Sequence, residues 1–139
     1  MPKLLQNILS LLAGVVVGSA VNMALIQLGP VVIAPPAGVD LHNAESLKQG
    51  ISLFEPQHFV TPWLAHALGT FAGAWVACYL AASYKIQLAF VVALLFFCGG
   101  VAASIMIPAP GWFIALDLLL AYLPMAWLAG KLHLRRGLV

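Results

Sequence analysis

Charged residues are nearly absent from this sequence. Its 139 residues include six Lys or Arg and four Asp or Glu, together 7% of the chain, whereas soluble domains carry about 25% charged residues. So few charges cannot cover a water-facing surface, and 63% of the residues are hydrophobic, so a soluble globular fold is excluded. Intrinsic disorder is also excluded, because it requires low hydrophobicity and high net charge. A net charge of +2 provides no basic surface for a phosphate backbone, so we expect no nucleic-acid partner.

Cysteine is scarce too, and recognisable catalytic motifs are missing. Cys78 and Cys98 form no C-x-x-C pair, which argues against a thiol oxidase, and we interpret both as small apolar residues. The sequence has no glycine-rich phosphate loop, no Ser-His-Asp ordering and no zinc-protease helix motif. We therefore predict that the chain is not an enzyme and has no cofactor.

Long apolar runs are abundant. A helix needs about 20 mostly apolar residues to cross the hydrocarbon layer of a membrane, and four segments meet this requirement: residues 4–28, 62–83, 86–107 and 112–130. The connections after the second and third segments are short, so the helices that they join must be antiparallel neighbours. The predicted fold is an all-α integral membrane domain over residues 1–139, an antiparallel four-helix transmembrane bundle with a long outer loop at residues 29–61.

Lysine and arginine are distributed unequally between the two ends of these segments. With the N-terminus inside, the outer side holds Lys48 alone, and the inner side holds Lys3, Lys85, Lys131, Arg135 and Arg136. Cytoplasmic loops of membrane proteins are enriched in Lys and Arg, so both termini are predicted to face the cytoplasm. The first segment has a basic start like a signal peptide, but its apolar run continues to Leu28, so we expect it to be retained.

Small residues recur at four-residue spacing in the predicted spans. Helices in lipid associate through close packing and hydrogen bonds, because lipid tails are as apolar as leucine. We therefore predict helix-packing roles for Gly14, Gly18, Gly69, Gly73, Gly99 and Gly100. These residues serve either the interior of one bundle or contacts in a homo-oligomer or larger membrane complex, and the sequence leaves both alternatives open.

Each predicted span carries one polar residue at a similar depth. With a helix rise of 1.5 Å per residue, four polar residues are predicted to lie in the outer third of the membrane: Asn22, His66, Ser104 and Asp117. We predict that they form a buried polar cluster. Pro124 leaves the Leu120 carbonyl without a helical donor, so that carbonyl could join the cluster. His66 and Asp117 are either a hydrogen-bonded pair that fixes helix register or a protonatable site coupled to solute movement. Their shallow depth favours the structural role, since carrier sites usually lie near the midplane.

The predicted outer loop contains a short amphipathic helix and several metal-capable side chains. Asn43 can cap a helix whose apolar face includes Leu47 and Ile51, and such a segment would lie on the outer interface or cover the bundle. Glu55 and His58 have the i, i+3 spacing of carboxylate-bridged metal sites. Those sites need two such motifs and this chain has one, so solvated loop residues are the favoured interpretation and these two remain the metal candidates.

Several stretches of the chain resemble a known family. They are residues 14–23 (GVVVGSAVNM), 35–40 (PPAGVD), 53–59 (LFEPQHF), 64–70 (LAHALGT) and 112–117 (WFIALD). They resemble a family of small uncharacterised bacterial inner-membrane proteins, which implies four spans and a bacterial inner membrane but no activity. The chain is also close in size to small multidrug-resistance transporters. It departs from them because their proton-coupling Glu lies in the first span, where this chain has no acid.

These observations predict a small multi-pass inner-membrane protein that acts by association, as an accessory or self-associating helix-packing protein in the lipid bilayer. The first alternative is a proton- or ion-coupled carrier of a small solute that uses Asp117 and His66. The second is an outer-face metal or ligand sensor built on Glu55 and His58.

Overall fold

The chain is almost entirely helical. The computed structural model describes residues 1–136, and the last three residues of the predicted domain lie outside that range. The described chain contains no strand and forms these helices: α1 (Lys3–Val32), α2 (Ala44–Gly50), α3 (Val60–Leu80), α4 (Lys85–Met106), α5 (Gly111–Leu120) and α6 (Leu123–Arg136). Two 3₁₀ turns lie between α2 and α3, at Ile51–Leu53 and Pro56–Phe59. The prediction of an all-α fold is confirmed.

Four segments of this chain are long and apolar enough to cross a membrane. They are Lys3–Val32, Pro56–Leu80, Lys85–Met106 and Gly111–Arg135. Each overlaps one of the four segments expected from the sequence. The chain therefore has the four candidate transmembrane segments of a multi-pass membrane protein.

The first helix is longer than its apolar run suggested. Pro30 lies inside α1 and has no N–H to donate to the Ile26 carbonyl. The helix nevertheless continues to Val32, and the Ile33 N–H donates to the Gly29 carbonyl at 2.8 Å. The extended part of the loop therefore begins a few residues later than the proline suggests, because one proline in a last turn removes only one hydrogen bond.

The fourth segment is not one continuous helix. α5 ends at Leu120 and α6 begins at Leu123, whereas the sequence suggested a single helix over residues 112–130. The proline at position 124 cannot donate to the Leu120 carbonyl, and its ring crowds that carbonyl. The break between α5 and α6 follows from this local effect.

The turn between α3 and α4 is held by polar side chains of α1. The Asn7 Oδ1 accepts hydrogen bonds from the Ala82 and Ser83 N–H groups at 3.0 and 3.2 Å, and the Asn7 Nδ2 donates to the Ser83 Oγ at 2.9 Å. The Gln6 Nε2 donates to the Leu80 carbonyl, the last residue of α3, at 2.9 Å. The start of α1 therefore lies against the end of α3 and satisfies backbone groups that the helix end leaves unpaired.

α3 packs against α1, α4 and α6, and its contact with α1 is made by glycines. A Cβ added at Gly14 would lie 2.6 Å from the Gly73 carbonyl oxygen, and one at Gly18 would lie 2.7 Å from the Gly69 carbonyl oxygen. Because these neighbours are backbone atoms, no larger residue fits unless the helices separate. Gly99 differs from this pattern, since no atom of the described residues lies within 4 Å of a Cβ added there.

On its other side, α3 shares a core of small residues with α4 and α6. The buried members are Ala74, Cys78, Ala89, Ala93, Ala126 and Ala129. Larger side chains surround this core, namely Phe71, Trp75, Ile86 and Phe90. The short side chains let three helix backbones approach closely, so that their atoms gain dispersion contacts with one another.

The loop that precedes α3 is folded back onto the bundle. The Asn43 side chain accepts hydrogen bonds from the Glu45 and Ser46 N–H groups, both at 3.0 Å, so it is the N-cap that the sequence predicts. The loop and the start of α5 share a cluster of buried apolar residues: Ile51, Phe59 and Phe113. This packing covers the beginning of α3 and the end of α4 with apolar side chains.

Candidate functional site

α3 and α5 bring an acid and a histidine into direct contact. The His66 Nδ1 lies 2.8 Å from the Asp117 Oδ1, and the two side chains are 22% and 7% exposed. A carboxylate is only an acceptor, so the hydrogen bond requires a proton on the Nδ1 of His66. The other ring nitrogen of His66, Nε2, has no hydrogen-bond partner among residues 1–136.

Tyr122 completes this site from the break between α5 and α6. Its hydroxyl donates to the Asp117 Oδ2 at 3.0 Å, and its ring stacks on His66 with centroids 5.9 Å apart. Tyr122 is 2% exposed. Together His66, Asp117 and Tyr122 form a triad in which each carboxylate oxygen accepts one hydrogen bond.

Sequence reasoning missed Tyr122 for a geometric reason. Residues five apart in a continuous α-helix lie about 140° apart around the axis, since each residue turns about 100°. Tyr122 would therefore face away from Asp117 if the fourth segment were unbroken. The signal that could have found it is Pro124, because a break at this point frees Tyr122 to turn back toward α5.

Gly100 of α4 makes room for the tyrosine. A Cβ at this position would overlap the Tyr122 hydroxyl and lie 2.7 Å from the ring carbon Cζ. Phe97, one turn earlier on α4, meets the Tyr122 ring edge-on with centroids 5.9 Å apart. The glycine is thus part of the wall that holds the tyrosine against Asp117.

Asn22 and Ser104 lie near the triad without bonding to it. The Ser104 hydroxyl donates to the Val101 carbonyl of its own helix at 2.7 Å. Asn22 lies beside Gly69, whose added Cβ would come 2.9 Å from the Asn22 Cβ. The structure therefore joins two of the four residues of the predicted polar cluster by a hydrogen bond and places the other two in the walls of adjacent cavities.

The first of these, the loop-side cavity, has a volume of about 290 Å³ and lies between the loop and the triad. His66, Asp117 and Ser104 line its inner end. Its remaining walls are mostly apolar and include Ile26, Ile33, Leu47, Ile51, Phe54, Phe59, Ile107, Phe113, Ile114 and Leu118. Such a cavity, mostly apolar with a few polar groups, has the composition of a small-molecule site.

A second cavity, the mid-bundle cavity, is also lined by His66. Its volume is about 330 Å³, and it is lined by Ser19, Asn22, Met23, His66, Leu95, Phe96, Gly99, Gly100, Ala103 and Tyr122. His66, Gly100 and Ala103 line both cavities. The imidazole therefore lies where the two cavities adjoin.

Neither cavity contains a lysine or an arginine. Among the described residues that line them, Asp117 is the one acidic side chain, and the histidines are His58 and His66. The site can therefore hold a proton on an acid–imidazole pair and accept hydrogen bonds, but it offers no fixed positive charge to a negatively charged molecule.

Glu55 and His58 organise the loop. The Glu55 N–H donates to the His58 Nδ1 at 2.9 Å, and the Glu55 Oε2 accepts from the Gln57 Nε2 at 2.8 Å. Within residues 1–136 no group of three or more His, Cys, Asp or Glu side chains is arranged to hold a metal ion. The i, i+3 spacing of this pair is thus used for a 3₁₀ turn, with His58 also lining the loop-side cavity.

We compared the chain with protein-family models, curated proteins and solved structures, and none of them matches it.

Proposed function

We propose that this protein lies in a bacterial inner membrane as an antiparallel four-helix bundle, with both termini in the cytoplasm and the loop before α3 outside. Contacts between Gln6 and Leu80 at one end, and between Gly29 and Thr61 at the other, support opposite directions for α1 and α3. Large apolar side chains are exposed on the bundle, among them Leu94, Ile105, Met106 and Leu119. Lipid is the medium in which such a surface is stable. The excess of Lys and Arg at one end supports the orientation.

We further propose that the protein is a carrier for a small, largely apolar solute, coupled to proton exchange at His66 and Asp117. The observation that supports this is the position of His66, which bonds to Asp117 and lines both cavities. A proton held by this pair can be released when a solute binds in the loop-side cavity, which both residues line. Ionisable groups in a membrane are costly and are usually kept for function. The proposal assigns no catalysis to the chain.

The glycines of α1 and α3 pack within the chain. Gly14, Gly18, Gly69 and Gly73 contact each other, so this surface of α1 and α3 offers no glycine to a partner helix.

A second candidate, self-association, is favoured by one observation on α4. A Cβ added at Gly99 would have no neighbour within 4 Å among the described residues. Gly99 also lines the mid-bundle cavity, and Cys98 and Ala102 beside it are exposed, so a second helix could approach this surface closely. If this surface joins two copies, Gly99→Leu will shift the protein from dimer to monomer in a mild detergent. An unchanged mass would remove this candidate.

Proton movement across proteoliposomes tests the carrier proposal. Liposomes with a trapped pH-sensitive dye receive a gradient of 2-phenylethylamine, 2-phenylethanol or 3-phenylpropionate, and protein-free liposomes give the background rate. We expect the wild-type protein to add to the proton movement with at least one solute, Asp117→Asn to abolish the added rate, and Asp40→Asn to leave it unchanged. Asp40 is an exposed loop acid, so it controls for the loss of a carboxylate elsewhere. A wild-type rate equal to background for all three solutes would overturn the proposal.

A further inference from the structure

The lining of the loop-side cavity favours a cation over an anion. Its inner end holds one carboxylate, that of Asp117, and no Lys or Arg of the described chain lines it. A negatively charged solute would lose its hydration there and meet a like charge, whereas a cation would meet an opposite charge.

The triad also leaves acceptor positions open at this end. A carboxylate has about four lone-pair positions, and His66 and Tyr122 occupy one on each oxygen. An ammonium carries several N–H donors, so it can bond to the lone-pair positions of the Asp117 carboxylate that remain open.

The volume of the cavity limits the size of the solute. A cavity of about 150 Å³ binds benzene, so the loop-side cavity of about 290 Å³ has room for one aromatic ring with a short arm. The rings of Phe54, Phe59 and Phe113 line the space and match an apolar body.

We propose that the loop-side cavity binds a small apolar primary amine as its ammonium ion, with the ammonium group at the Asp117 carboxylate and the hydrocarbon part among the phenylalanines. This inference rests on the proposed carrier function and names its substrate class. The ammonium and the transported proton then compete for the same carboxylate, so that binding of one displaces the other.

Three molecules of nearly one shape test the preference: 2-phenylethylamine, 2-phenylethanol and 3-phenylpropionate. Their dissociation constants are measured by thermal-shift titration of the purified protein in a non-ionic detergent at pH 7. We expect the amine to bind on the order of tenfold or more tightly than the carboxylate, with the alcohol between them. Asp117→Asn reduces the preference for the amine to about twofold or less, and Asp40→Asn keeps it. Equal binding of all three, or tighter binding of the alcohol or the carboxylate, would overturn the proposal.

A second pair of variants keeps the test valid if Asp117→Asn does not fold. Ser104→Leu adds bulk to the cavity wall while it leaves the triad intact, and Ser104→Ala removes only a hydroxyl that bonds within α4. Amine binding should be lost in the first variant and retained in the second, and retention in both would overturn the proposal.

The outcome also separates the substrate class from the carrier function. Amine binding in micelles without proton movement in liposomes would support the substrate class and reject the carrier. Proton movement driven by the alcohol or the carboxylate but not by the amine would reject the substrate class and keep the carrier.

Discussion

Replacement of Gly100 by alanine should displace Tyr122 from Asp117. An added Cβ would overlap the Tyr122 hydroxyl and lie 2.7 Å from the ring carbon Cζ, so the ring has to move. Gly99→Ala is the matched control, because it makes the same change one residue away, where nothing lies within 4 Å. Both variants gain the same helix propensity of roughly 0.5–1 kcal/mol, so the difference between them isolates the contact with Tyr122.

The size of this difference can be estimated from two contributions. Overpacking of a filled interior costs about 1–3 kcal/mol. Loss of the hydrogen bond from Tyr122 to Asp117 adds about 0.6 kcal/mol, the average for hydrogen bonds between membrane helices. Gly100→Ala should therefore be about 2–4 kcal/mol less stable than Gly99→Ala.

This difference in stability is measured by equilibrium unfolding in mixed micelles of a non-ionic detergent and dodecyl sulfate. Circular dichroism follows the loss of helix. Tyr122→Phe, combined with Gly100→Ala, completes a double-mutant cycle. Because loss of the hydroxyl relieves the closest overlap but not the contact with the ring, the cost of Gly100→Ala should decrease without vanishing, which gives a coupling of about 0.5–2 kcal/mol. Equal stability of the two alanine variants, or strict additivity in the cycle, would refute this account of Gly100.

Three further predictions concern other contacts. Gly73→Val should destabilise the protein more than Gly100→Ala does in the same unfolding assay. The added Cβ would lie 2.6 Å from the Gly14 backbone oxygen, which can move only if α1 moves as a whole. An equal or smaller loss of stability would argue against close packing of α1 on α3. Thr70→Val should raise the thermal midpoint, because the buried Thr70 Oγ1 has no hydrogen-bond partner among residues 1–136 and an unsatisfied hydroxyl costs about 1–3 kcal/mol. A lower midpoint would mean that the hydroxyl is bonded. Asn7→Ala should speed proteolysis within the α3–α4 turn, because the Ala82 and Ser83 N–H groups lose the side-chain oxygen that accepts their hydrogen bonds. An unchanged cleavage rate would contradict the role of Asn7 in holding this turn.

The four apolar segments are predictable from sequence because their signal is local. Each is a run of about 20 apolar residues, which only a helix can carry across hydrocarbon. The N-cap at Asn43 is equally local, since its side chain bonds to N–H groups two and three residues later. Such features need no knowledge of how distant parts of the chain meet.

The candidate site is only partly predictable because it depends on how the helices meet. His66 and Asp117 are recognisable as unusual residues at a similar depth, but their 2.8 Å contact needs a particular rotation of α3 and α5. Gly99 and Gly100 have the same sequence signal, yet they lie about 100° apart on the helix, and only Gly100 meets Tyr122. The loop-side cavity depends on the folded loop, whose path no repeating pattern specifies.

The central claim, that a solute binds at the triad of His66, Asp117 and Tyr122, is tested most directly by the nitrogen resonances of the His66 imidazole. Nitrogen-15 NMR of histidine-labelled protein in micelles observes the ring nitrogens of His66, with the exposed His42 as the internal reference, while 2-phenylethylamine is added. A solute that binds at the triad should shift the His66 Nε2 resonance in a saturable way in the wild type and in Ser104→Ala, and should leave it unchanged in Ser104→Leu. A His66 resonance that does not respond to the amine, or that responds equally in Ser104→Leu, would contradict the assignment of this triad as the solute site.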